Sequence, residues 1–197
     1  KASIGTLAHE MIHCMLKNEE ADTSDYSQNQ IDLALNSLKS FDNWYKGSDL
    51  KPVLLEEQLV SEELQYGGSI DCYGVIKDGT RVLVDFKTGK GIYNDMAYQL
   101  SAYANLLEEN GYPVDLAMIL NIPRVDAEDF AIRRWTNLTL HFNIFKCMLD
   151  VYKKEKKLKK DGVSPKVEMR EDFTSIVDPS RHHSDREEEK GAVHERV

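Results

Sequence analysis

The sequence predicts an α/β fold: a central mixed β-sheet flanked by helices, with a helical segment at the N-terminus. Three observations carry this expectation. Apolar residues recur at helical spacing in the first 45 positions, two short β-rich runs meet at a turn signal in the middle, and a helical period then alternates with a buried apolar strand. At 197 residues, 41% hydrophobic and 30% charged, the chain is long enough for one substantial core.

The elements follow in order. Ile4, Leu7, Ala8, Met11, Ile12, Met15 and Leu16 define an amphipathic opening helix. After the polar stretch NEEADTSDYSQNQ, Ile31, Ala34, Leu35, Leu38, Phe41 and Tyr45 mark a second helix ending near Lys46-Gly47. Pro52 opens an extended segment, PVLLEEQLV. The runs SIDCYGVI and RVLVDFK are strands joined at KDGT. YNDMAYQLSAYANLLEENG reads as a helix closed by Gly111, VDLAMILN as a buried strand and FAIRRWT as a further strand. Asn137 is placed to cap a long helix through LTLHFNIFKCMLDVYKKEKKLKK. The expected organisation is one domain over residues 1–160, with 18–52 a helical insertion before the core sheet. Residues 161–197 form a C-terminal extension whose apolar pattern fades into a solvated, partly flexible tail.

Composition narrows the function. A net charge of -9 argues against a protein that coats nucleic acid indiscriminately, but not against one that touches it locally. Cys14, Cys72 and Cys147 lack zinc-finger or disulfide-framework spacing, so they read as thiols in a reducing compartment. No apolar run approaches a membrane span, and no signal-peptide pattern is present. The expected location is intracellular, without a membrane partner; organellar targeting stays open because the first residue is Lys rather than Met.

His9 to His13 spell H-E-x-x-H, the pattern of a zinc protease. The rest of that reading is missing. The places of the glycine and third histidine of one protease class hold Leu16 and Glu19, and NEEADTSD is a poor version of the downstream signature of another. His13 also adjoins the apolar stripe, where a hydrogen-bonded structural histidine is expected.

The informative stretch is GGSIDCYGVIKDGTRVLVDFKTGKGIYNDMAYQLSAYA. Asp85 and Lys87 are two apart and share a strand face. With a two-residue turn, Asp71 would point away from Asp85. A three-residue loop with Lys77 facing Arg81 sets Asp71 opposite Lys87 and Tyr73 opposite Asp85. It also gathers Ile70, Cys72 and Ile76 with Val82, Val84 and Phe86 on the other face. A sheet selects the register that buries one whole face. Two carboxylates with a lysine suit Mg²⁺ or Mn²⁺ and the hydrolysis of a phosphodiester; the bland alternative is an Asp85–Lys87 surface ion pair.

GGSID, VDFKTGK and QLSAY, in this order, resemble the PD-(D/E)XK nuclease superfamily, in particular its RecB-like exonuclease branch of phage and mitochondrial single-strand exonucleases. The likeness spans about Gly5 to Tyr103. It implies a restriction-endonuclease-like core and a metal-dependent DNA exonuclease, with Asp71, Asp85 and Lys87 catalytic. The metal set it implies is His9 from GTLAH, Asp71, Asp85, the Phe86 carbonyl and Glu57, with Glu56 a competing choice for the last. Gln99, Tyr103 and Lys90 would face the metal site or bind DNA. The cofactor would be Mg²⁺ or Mn²⁺, and no iron–sulfur cluster is expected, since that subset uses four flanking cysteines. The partner would be single-stranded or end-containing DNA in recombination, repair or phage DNA processing, with a helicase or a recombination or replication protein alongside. Rival readings are a structure- or sequence-specific endonuclease and a non-catalytic nucleic-acid-binding module of the same fold. Lys153, Lys154, Lys156, Lys157, Lys159 and Lys160 read either as a solvated helix end or as phosphate contacts. Tyr26, Trp44 and Tyr45 are candidates either for stacking bases or for the core.

Overall fold

The computed structural model describes residues 3–125 and 127–162. The chain divides into two units, Lys1–Lys153 and Lys154–Val197. The sheet, the first three helices and the candidate site all lie in the first unit, and most of the expected extension 161–197 lies outside the described residues.

Helices α1 (Ile4–Lys17) and α2 (Gln28–Ser48) precede strands β1 (Lys51–Ser61), β2 (Tyr66–Val75) and β3 (Arg81–Lys87). Helix α3 (Asn94–Glu109), strands β4 (Leu116–Asn121) and β5 (Ala131–Trp135), and helix α4 (Thr139–Lys160) complete the described chain. The sheet order is β1-β2-β3-β4-β5; β3 and β4 are parallel and the other neighbours antiparallel. This is the α/β architecture with a mixed sheet that the sequence predicts. Among the described residues, no helix is long and apolar enough to cross a membrane.

Local chemistry explains the helix starts. Ser3 accepts the Thr6 N–H at 3.1 Å, and Asn18 closes α1 in the left-handed region. Gln30 reaches back to the Ser27 N–H at 3.0 Å ahead of α2. Asn137 accepts the Thr139 N–H at 2.9 Å at the start of α4.

Two apolar layers sandwich the sheet. On one face Ile12 of α1 and Phe41 of α2 pack with Cys72, Val82, Val84, Phe86, Met118 and Leu120. On the other, Leu100, Leu106 and Leu107 of α3 pack with Ile70, Tyr73, Leu83, Ala117 and Ile119. Burying one such side chain completely stabilises the fold by ~1.5–3 kcal/mol. Trp44 and Tyr45 pack on Phe41 with ring centroids 5.6 and 5.7 Å away, so they belong to the core rather than to a base-stacking surface.

The β2–β3 register differs from the expected one by two residues. Tyr73 pairs with Leu83 and Cys72 with Val84, while the Ile76 N–H bonds to the Thr80 carbonyl at 3.0 Å. The loop does hold three residues, but they are Lys77, Asp78 and Gly79. The reason is Gly79, whose φ of 87° needs the left-handed position that ends such a loop rather than its middle. Asp78 secures the turn by accepting the Thr80 N–H at 2.9 Å. A two-residue slip preserves side-chain parity, so Asp71, Asp85 and Lys87 are not scattered by it. Ile70 is a second correction: it packs with Tyr73 and Leu83 on the α3 face, not with Cys72. Beside it, between the pairs Leu55↔Cys72 and Glu57↔Ile70, Glu56 adopts a φ of 53°, so the β1–β2 pair is irregular at this level.

Gly79→Ala should cost ~1–2 kcal/mol by forcing a Cβ into the left-handed region. Urea denaturation should show a lower midpoint with an unchanged m-value; an unchanged midpoint would contradict the loop assignment.

Candidate active site

The site forms where β2 and β3 part. Their ladder ends at Cys72↔Val84, while β2 continues back to Tyr66 paired only with β1. At the fork the Phe86 N–H donates to Asp71 Oδ2 at 2.8 Å, so a side chain replaces the missing strand partner. The other oxygen of that carboxylate, Oδ1, faces His9 Nδ1 at 3.9 Å. Asp85, one residue before Phe86, is 2% exposed, and its Oδ2 stands 2.7 Å from Lys87 Nζ. That ion pair sets the Lys87 ammonium against a buried carboxylate oxygen.

Helix α3 supplies the next shell. Lys87 Nζ donates to Gln99 Oε1 at 3.0 Å, and Gln99 Nε2 donates to Tyr103 Oη at 2.8 Å. Lysine has no acceptor, so it fixes the amide orientation; the Tyr103 hydroxyl then keeps its own proton to donate. A helical spacing of four aligns Gln99 with Tyr103. Gly68 of β2 makes room for the tyrosine, since a Cβ there would lie 2.6 Å from Tyr103 Cε1.

Helix α1 supplies the histidines. His9 and His13 are one turn apart with perpendicular rings, their centroids 6.4 Å from each other, and both pack on the Phe86 ring. Gly5 lets α1 approach the loop after β3, because a Cβ would meet Thr88 Oγ1 at 2.9 Å. His13 is buried and structural: Nε2 donates to the Asp71 carbonyl at 3.1 Å, and Nδ1 lies 2.7 Å from Glu56 Oε1.

Burial governs the electrostatics. It raises Asp85 to about 6, with Lys87 opposing and Asp71 adding to the rise. Burial raises Asp71 as well, against the Phe86 N–H bond that favours its charged form. His9 is lowered to about 4 by burial and then by Lys87, so its imidazole is neutral at pH 7 with a lone pair to offer. Tyr103 is pushed up to about 12 by burial and the two carboxylates, and it remains a donor.

The residues fit a hard divalent cation with some borderline character. Asp85 is buried and Asp71 partly so, together they hold more negative charge than one lysine offsets, and a neutral imidazole stands beside them. The donors are neighbours rather than a finished cage. Among the described residues, no group of three or more His, Cys, Asp or Glu side chains is already gathered closely enough to hold an ion.

The structure brings together His9, Asp71, Asp85, Phe86, Lys87, Gln99 and Tyr103. It does not bring in Glu57, which pairs with Ile70 and makes no hydrogen bond or ion pair with the described residues. Its neighbour Glu56 reaches the group instead, through His13, because the left-handed backbone at 56 redirects it. Lys90 is exposed in the loop beyond β3. Asn121 was not legible as a site residue. Buried at the end of β4, it donates to the Gly89 carbonyl at 3.0 Å, while the Ile122 N–H holds the Lys87 carbonyl at 2.8 Å. Its one sequence signal is a polar residue closing the apolar run LAMILN. A cavity of about 440 Å³, lined by Trp44, Leu50, Val82 and Met118 among others, sits toward the opposite ends of β3 and β4 and takes no part in this group.

No family model matches this chain, and no curated protein matches its sequence. A crystal structure from Eubacterium rectale, described as a "putative exonuclease", superposes with a TM-score of 0.60 at 11% identity, over 100% of this chain and 78% of that one. At that identity the likeness is one of fold: the five-stranded mixed sheet and its flanking helices. A second solved structure, SSO0001, aligns over 72% of this chain and 74% of that one at 13% identity, but with a TM-score of 0.34 that supports no argument.

The raised carboxyl of Asp85 has a consequence for stability. Between about pH 4 and its folded value of about 6, the folded chain binds the extra proton, so stability falls as pH rises through this window. In EDTA, Asp85→Asn should therefore be more stable than the wild type above pH 6, by on the order of 1–3 kcal/mol, with the gap closing toward pH 4. A mutant less stable than wild type at pH 7.5 would show that the Lys87 contact outweighs the burial cost.

Proposed function

We propose that this chain is a Mg²⁺- or Mn²⁺-dependent deoxyribonuclease that hydrolyses phosphodiester bonds from DNA ends, as an exonuclease of the RecB-like branch of the PD-(D/E)XK superfamily. The observation that carries the proposal is the fork between β2 and β3. There Asp71, Asp85 and Lys87 converge from two strands, with His9 arriving from α1 and Gln99 and Tyr103 from α3. The likeness of fold to a protein described as an exonuclease supports the same reading.

In this mechanism Asp71, Asp85, His9 and the Phe86 carbonyl would hold the cation. When bound, the ion supplies Lewis-acid activation of water and neutralises charge on the phosphate. Lys87 orients the attacking water and stabilises the charge that develops on the phosphoryl oxygens. Gln99 fixes the Lys87 ammonium so that little reorganisation remains at the moment of reaction. Tyr103, with its proton free, donates to a phosphate oxygen of the substrate strand. Water oxygen bonds to phosphorus and gives up one proton to solvent, the bond to the leaving sugar oxygen breaks, and that oxygen takes up a proton from solvent. Lys90 contacts the backbone of the bound strand. DNA repair, recombination or phage DNA processing is the proposed setting, with a helicase or a recombination or replication protein supplying unwound ends.

End-labelled linear DNA, single- and double-stranded, should be degraded with Mg²⁺ or Mn²⁺ and spared in EDTA, while closed circles survive. Cleavage of closed circles would overturn end dependence in favour of an endonuclease. RNA of the same sequence, run alongside, tests the choice of sugar.

Lys87→Ala should lower turnover by ~10²–10³-fold, as removal of a group that stabilises transition-state charge does. Its melting temperature and Mn²⁺ titration should stay close to wild type. Normal cleavage by this variant would remove Lys87 from the mechanism.

A further inference from the structure

We propose that Glu56 and His13 form a positioning relay that sets where the Asp71 carboxylate and His9 stand, and so sets the affinity of the site for a divalent cation. The inference rests on the nuclease reading above and assigns a role to two residues outside the ligand set.

Three elements meet in this relay. His13 of α1 donates from Nε2 to the main-chain carbonyl of Asp71 on β2 at 3.1 Å and presents Nδ1 to Glu56 Oε1 of β1 at 2.7 Å. Lys17, one turn further along α1, donates to Glu56 Oε2 at 2.9 Å. Glu56 therefore grips α1 at two points, and both of its oxygens are engaged.

Asp71 is pinned at both ends by side-chain-specific bonds: its carbonyl by His13 and its carboxylate by the Phe86 N–H. His9 lies one turn before His13 on the same helix. Its 3.9 Å approach to Asp71 Oδ1 is therefore fixed by the same attachment.

The backbone at Glu56 is what separates this arrangement from ordinary cross-bracing. The pairs Leu55↔Cys72 and Glu57↔Ile70 leave Glu56 beside Asp71, and there the chain adopts a φ of 53°. A non-glycine residue in that region costs ~1–2 kcal/mol relative to the extended conformation of a regular strand. The irregularity falls at the same level of the sheet as the fork, and it turns the Glu56 carboxylate toward His13. It sets the Glu56 carboxylate, rather than that of Glu57, against His13 at the level where Asp71 leaves the β2–β3 ladder.

The test measures Mn²⁺ binding without DNA, by the electron paramagnetic resonance signal of free Mn²⁺, together with melting temperature and turnover at saturating Mn²⁺. Glu56→Ala and His13→Ala should each weaken Mn²⁺ binding by ~10–100-fold, the usual range for groups that orient metal ligands. Turnover at saturating Mn²⁺ should recover most of the way to wild type. The double variant should be no weaker than the worse single one, because the two residues act in series. Glu56→Gln, which keeps a polar side chain of the same length beside His13 Nδ1 but loses the charge that holds Lys17, should fall between wild type and Glu56→Ala.

Variants that melt earlier yet keep the wild-type Mn²⁺ affinity would overturn the relay and leave the nuclease reading standing. Fully additive losses in the double variant would do the same. If His13→Ala does not fold, Glu56→Gln and Lys17→Met, both changes at partly exposed side chains, carry the test on the same readouts. A wild type that neither binds Mn²⁺ nor cleaves DNA would overturn both proposals.

Discussion

The bond from the Phe86 N–H to the Asp71 carboxylate is the constraint around which this molecule is arranged. A buried amide at a strand end must find an acceptor, and here a side chain supplies it where the β2–β3 ladder stops. Because a carboxylate stands in for a carbonyl, the two strands can separate without orphaning the backbone. The gap that opens is where charged groups from three elements gather.

Opposite faces of the sheet then make different contributions. The α1/α2 side is closed by Phe86, which packs on Phe41 at 5.1 Å and under both histidines, so the floor of the site is apolar and rigid. The α3 side is open enough to admit the Lys87–Gln99–Tyr103 chain. The apolar floor explains the pattern of shifts: burial raises the two carboxylates and lowers the His9 imidazole, which Lys87 lowers further. A group of like charges held in low-polarity surroundings is costly in the bare protein, and a divalent cation would reverse that cost. Such a region carries a local cost that the surrounding core offsets.

Much of the fold was legible in the sequence because its elements have strong periods. The helical spacing of Ile4 to Leu16 and Ile31 to Tyr45, the apolar alternation of RVLVDFK, and the run LAMILN each follow from burying one face. The grouping of Asp71 with Asp85 and Lys87 was legible for a related reason. Side-chain parity in a strand depends on whether a loop is odd or even, so it survives an error of two in the register. The likeness of GTLAH, GGSID, VDFKTGK and QLSAY to a nuclease pattern singled out the same residues.

What the chain determined by itself was therefore which face each residue takes, because that depends on periods of two and 3.6 that are written locally. Tertiary structure alone decided the rest. The exact β2–β3 register turned on one left-handed glycine at the end of the loop, and Ile70 left its expected face where the β1–β2 pair is irregular. The choice of Glu56 over Glu57, the carbonyl held by His13 and the loop held by Asn121 join residues 32 to 58 positions apart. No local period encodes such pairings. They exist because a closed core fixes the distances between elements, and only then does each buried donor find the acceptor within its reach.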